Sequence, residues 1–89
     1  MTTFRWSSTE LEPDDIQDAL QRVNAVKSGD ATNYTRYQLG DCQVELLYGS
    51  MPALLINGPT RDSVREAAHR LGYGDTGTVI EVGDEVRAR

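Results

Sequence analysis

Residues 33–49 read NYTRYQLGDCQVELLYG, two runs that alternate apolar with polar side chains, joined by Gly40 and Asp41. A period of two sends successive side chains to opposite faces, which suits a strand and not a helix. Two such runs separated by two residues, glycine first, predict a hairpin. A lone two-stranded ribbon is barely stable in water. The chain must therefore add strands and cover one face of the resulting sheet.

The flanking segments supply both. TTFRWS predicts a first strand in which Phe4 and Trp6 alternate with Thr3, Arg5 and Ser7. MPALLING is the most apolar run and predicts a well-covered strand with Pro52 at its start, since proline cannot donate to a sheet ladder. TGTVIEVG predicts the last strand. EPDDIQDALQRVNAVKSG predicts a helix: Asp14 and Asp15 favour its N-terminal end, and Ile16, Ala19, Leu20, Val23 and Lys27 share a stripe with Val26 beside it. Lys27 in the last turn and Gly29 after it are stop signals. PTRDSVREAAHRLG predicts a second helix, capped by Thr60 and closed by Gly72, with Val64, Ala67, Ala68 and Leu71 on its apolar stripe.

The expected order is β-α-β-β-β-α-β. Such an order packs as an α+β two-layer sandwich, a mainly antiparallel sheet with two helices on one face. It resembles, in topology, the split β-α-β arrangement of ferredoxin-like folds with an added strand. At 89 residues the chain is expected to form a single domain over residues 1–83, with 84–89 as a charged tail. A domain this small buries a modest share of its surface, and dimerisation would help it.

Charge and composition narrow the function. A net charge of −5 with one lysine argues against direct nucleic-acid binding, which needs basic groups to displace phosphate counterions. Stacking of bases on Tyr34, Tyr37 and Arg36 is the form that such binding would take. The start, MTTFRWSSTE, lacks a basic-then-apolar leader, and no apolar run approaches the ~18 residues that span a bilayer, so a cytoplasmic location without membrane binding is expected. One cysteine and one histidine give no metal-ligand spacing, and neither acidic stretch matches a calcium loop. No metal or cofactor is expected. Cys42 alternates with Val44 and Leu46 and reads as a small buried hydrophobe.

GYGDTG, residues 72–77, spells the letters of a dinucleotide-binding loop. In that loop the glycines follow a strand and open a helix, whose free N–H groups meet the pyrophosphate. Here they follow a helix and lead into a strand, so the helix presents carbonyls instead. The match is one of letters, and the glycines are expected to cap the helix and turn the chain.

No catalytic residue is assigned. His69 lies off the apolar stripe of its helix, and Asp62, two turns back, is too far to orient it. The candidate binding residues fall in two groups. Glu10, Glu12, Asp14, Asp15 and Asp18 form a run without a basic residue, suited to docking on a basic protein surface. The second group lies on the sheet. With Phe4, Trp6, Val44, Leu46, Leu54, Ile56, Ile80 and Val82 turned toward the helices, alternation sends Arg5, Gln43, Glu45, Leu47, Ala53, Leu55, Val79 and Glu81 the other way. In the second strand Tyr37 and Leu39 suit the core, leaving Tyr34 and Arg36 outside. The open face then carries Leu47, Leu55 and Val79 with Tyr34, ringed by Arg36, Gln43 and Glu45, an apolar patch with a polar rim.

These features point to a small acidic non-enzymatic protein that binds a protein partner, or a second copy of itself, through the sheet face and the acidic helix. An adaptor, inhibitor or immunity-type protein fits. The alternative is a small dimeric enzyme or small-molecule-binding protein. Its pocket would lie at the sheet interface, with Arg36 holding an anion, Glu45 as a base, and Tyr34, Tyr37, Tyr48 and His69 nearby.

Overall fold

The computed structural model describes residues 3–10, 13–49 and 52–82. The 84–89 tail and Glu12 lie outside the described residues. The elements in chain order are β1 (Thr3–Ser8), α1 (Pro13–Arg22), β2 (Val26–Asp30), β3 (Tyr34–Leu39), β4 (Cys42–Leu47), β5 (Ala53–Gly58), α2 (Arg61–Arg70) and β6 (Thr78–Val82). The six strands form one sheet in the order β2-β3-β4-β5-β1-β6, and every neighbouring pair is antiparallel. The α+β sandwich holds. Strands β6-β1-β5-β4 with the two helices have the ferredoxin-like order, and β2 and β3 extend it by two strands where the sequence suggested one.

The extra strand is a correction to α1. The apolar stripe carries the expected helix on through Val23 and Val26 to Gly29, yet α1 ends at Arg22. Asn24 takes a left-handed φ of 63°. Its N–H bonds the Gln21 carbonyl at 3.0 Å and the Ala25 N–H bonds the Leu20 carbonyl at 2.9 Å. That pair of reversed bonds is a Schellman closure, with asparagine where glycine is commoner. The chain leaves the helix there, and Val26–Asp30 pairs with β3 instead.

The hairpin forms as expected. Leu39 pairs with Cys42 across Gly40 and Asp41. Gly40 alone of the two has positive φ, 62°, the sign pattern of a II′ turn. Helix α2 starts on Thr60, whose hydroxyl accepts from the Ser63 N–H at 3.0 Å, a cap worth about 1 kcal/mol. It closes on Gly72, whose N–H bonds the His69 carbonyl while the Tyr73 N–H bonds that of Ala68.

One core lies between the sheet and the helices. Trp6, Val44, Leu46, Leu54 and Ile56 from the sheet meet Ile16, Ala19 and Leu20 of α1 and Val64, Ala67 and Ala68 of α2. Trp6 is its centre. The ring is fully buried, donates Nε1–H to the Thr76 carbonyl at 2.9 Å, and takes Tyr73 edge-on with centroids 4.9 Å apart. No helix among the described residues is long and apolar enough to cross a membrane.

Candidate interaction surface

Cross-strand partners share a face, so the register fixes which residues lie opposite the helices. One row runs Tyr34, Leu47, Ala53; the next runs Arg36, Glu45, Leu55, Ser7, Thr78; a third runs Gln38, Gln43, Asn57, Arg5, Ile80. All six candidate sheet residues, Tyr34, Arg36, Gln43, Glu45, Leu47 and Leu55, therefore stand on the open face. Leu47 and Leu55 are half-buried, and Tyr34 and Ala53 complete an apolar corner.

β6 is set in the opposite phase from expectation. Trp6 pairs with Val79 and Arg5 with Ile80. Val79 is thus on the helix side and packs against the core, while Ile80 stands on the open face, 49% exposed. Val82, opposite Thr3, follows Ile80, and Glu81, opposite Phe4, follows Val79.

Two pairs of polar side chains on the open face engage one another. Arg36 donates from Nε to Glu45 Oε2 at 3.0 Å and lies over the Tyr34 ring, 5.1 Å from its centroid. Arg5 donates from Nε to Asn57 Oδ1 at 2.8 Å. The groups of the enzyme alternative do not converge. Tyr34, Arg36 and Glu45 are on the open face, and Glu45 is engaged by Arg36. Tyr37 packs against the core on the helix side, and Tyr48 shares a hydroxyl contact of 2.8 Å with the buried Thr35. The base-stacking trio is split in the same way, with Tyr37 turned from Tyr34 and Arg36. His69 does have an orienting partner, though not Asp62: its Nε2 is 3.0 Å from Asp75 Oδ1 in the loop after α2. Both side chains are exposed, so this is a surface pair of small energetic weight.

The acidic residues line a different wall. Glu10, Asp15 and Asp18 border a cleft of about 700 Å³ between α1 and the end of α2, with Ile16, Ala19, Leu71 and Tyr73 as its apolar floor and Arg22 at its edge. Asp14 is exposed on α1. On the open face a second cleft, about 720 Å³, runs from Ala53 and Leu55 past Ser7, Thr76 and Thr78 to Thr9 and Glu10. Thr9 and Glu10 border both clefts. The acidic wall and the apolar corner, on opposite sides of the sheet, meet along the rim at the end of β1. No local spacing signals this junction, because it depends on β1 lying between β5 and β6.

Cys42 is a core residue, as its alternation predicts. Burial pushes its thiol up from 9.0 to about 11, and the neighbouring Asp41 carboxylate adds to the effect. Protonation favours the folded state here. Stability is whole below pH 9 and falls as pH rises toward 11, by on the order of 2 kcal/mol from this group. Urea titrations across that range are expected to show the loss in the wild type and a smaller one in Cys42→Ala. Equal losses in both would remove the thiol from the account.

Comparison with protein-family models, with curated proteins and with solved structures finds no match.

Proposed function

We propose that the chain is a small non-enzymatic interaction protein of the cytoplasm. A protein partner docks around the rim at the end of β1, placing apolar side chains against Leu55 and Ala53 and basic ones against Glu10, Asp15 and Asp18. The observation that carries this reading is the junction itself. One segment, Thr9–Glu10, borders both a groove on the uncovered sheet face, where Ala53 and Leu55 lie among hydroxyl side chains, and an acidic cleft with an apolar floor beside α1. Interfaces combine an apolar centre with a polar rim, and charge complementarity sets association rate and specificity. An inhibitor, adaptor or immunity-type role would use such a surface.

The test is quantitative cross-linking capture with the wild type, Leu55→Asp, and the double charge reversal Asp15→Lys/Asp18→Lys. Asp15 and Asp18 are exposed, while Leu55→Asp faces Glu45 across the strands and costs some stability, so thermal unfolding of each variant first establishes that it is folded at the temperature of capture. A genuine partner is retained by the wild type, is lost at least about tenfold with either variant, and is released by salt. A capture profile identical in all three proteins would end the proposal.

A further inference from the structure

The two outer strands of the sheet are guarded unequally. At one edge, β2 carries a register shift between Lys27 and Gly29 and an exposed Lys27–Asp30 ion pair at 3.6 Å. Bulges and edge lysines are the devices that keep an edge from accepting another strand. At the other edge, β6 pairs with β1 through five successive residues without a shift. Its sequence is TVIEV: no proline, no basic residue, and β-branched at every position but Glu81. Its outer side has no strand partner among the described residues.

We infer that β6 is a self-association edge, which pairs antiparallel with the β6 of a second copy about a two-fold axis at Ile80. The sequence around that residue suits its own reverse. Ile80 meets Ile80, Thr78 meets Val82, and Val79 meets Glu81. Three of the five cross-strand pairs then join two β-branched residues, the types that stabilise a sheet, and the single carboxylate of each strand meets valine and not its copy. Ile80, half exposed on the open face, gains cover. The guarded β2 edge is what closes the assembly at two. Pairing of β6 with β2 would be head-to-tail and would propagate into a filament, and the bulge and ion pair of β2 oppose it. A five-residue edge gives a small interface, so the dimer is weak and exchanges quickly. Each copy carries a net charge of −5, so the two repel at a distance and added salt strengthens the pairing. Docking of a basic partner has the opposite salt dependence, so this inference stands or falls apart from the rim.

The test is sedimentation of the intact chain over a wide concentration range at low and high salt. The proteins are the wild type, Ile80→Lys, Ile80→Glu, an equimolar mixture of those two, and Leu55→Asp. The expected result is a wild-type dimer that strengthens with salt. Each Ile80 variant alone associates about tenfold more weakly or less, because it sets like charges face to face. The mixture recovers association through Lys–Glu pairing across the axis, and Leu55→Asp behaves as the wild type. Circular dichroism checks that the variants fold, as a half-exposed site allows. A wild type that stays monomeric at the highest concentration overturns the inference. So does association that survives in both Ile80 variants, fails to return in their mixture, or is lost in Leu55→Asp.

Discussion

Replacing Gly77 with alanine lowers the unfolding free energy by about 3 kcal/mol or more, the sum of a forbidden backbone angle and an overpacked core. A Cβ at this position would lie 2.4 Å from both Cε2 and Nε1 of Trp6. The indole cannot yield, because it is fully buried and held by its bond to the Thr76 carbonyl. The backbone cannot yield either, since φ at Gly77 is 89°, a region that side chains rarely adopt. Gly74 is the internal control. Its φ of 62° is also positive, yet a Cβ there meets nothing within 4 Å. Gly74→Ala therefore costs about 1 kcal/mol, the backbone part alone. Urea melts followed by the emission of the single tryptophan would show both as shifts in midpoint at constant slope. Equal shifts would mean that contact with the indole contributes nothing.

Trp6→Ala is expected to remove about 3–5 kcal/mol, the range for truncating a large buried aromatic. Against a total stability of roughly 4–13 kcal/mol for a chain of this size, that is about a quarter or more of the whole. The change empties the centre of the core, strips Tyr73 of its edge-on partner and leaves the Thr76 carbonyl without its donor. Because Gly77 is pressed against this ring, the two changes are coupled. The double variant Trp6→Ala/Gly77→Ala should be more stable than the sum of the single losses implies. Denaturation followed by circular dichroism measures the cycle, and strict additivity would place the Gly77 effect elsewhere than on the indole.

The parts of the fold legible in the sequence are those where local pattern and tertiary contact agree. The Gly40–Asp41 hairpin, the Thr60 cap and the Val64–Ala68 stripe are specified within a few residues, and the structure keeps them. β2 was not legible because Val23 and Val26 continue the period of α1, and only the left-handed Asn24 breaks it. Asparagine is a weaker signal for that conformation than glycine, and the nearby Gly29 drew the boundary too far along. The phase of β6 was hidden for another reason. In Val79-Ile80-Glu81-Val82 either phase presents an apolar residue to the core, so alternation alone cannot choose. The choice is made by β1, whose Trp6 takes Val79 as its neighbour. The six sheet residues of the candidate surface came out together because their strands alternate cleanly. The joining of that face to the acidic cleft depends on strand order, which no local spacing encodes.

The place of β1 also has a bearing on how the molecule comes into being. It is the earliest strand in the chain, yet it pairs with β5 and β6, the last two. Phe4 waits for Gly58 and Thr3 for Val82, while the Trp6 indole finds its carbonyl partner 70 residues downstream. A ribosome adding roughly 5–20 residues per second would leave that indole without its final neighbours for about 4–14 s. The β2–β5 meander can assemble in the meantime, since its contacts are local and quickly closed. The central seam cannot. Translation speed and early chaperone contact with the nascent Phe4–Trp6 segment thus bear on the yield of folded protein in a way that the finished sheet conceals.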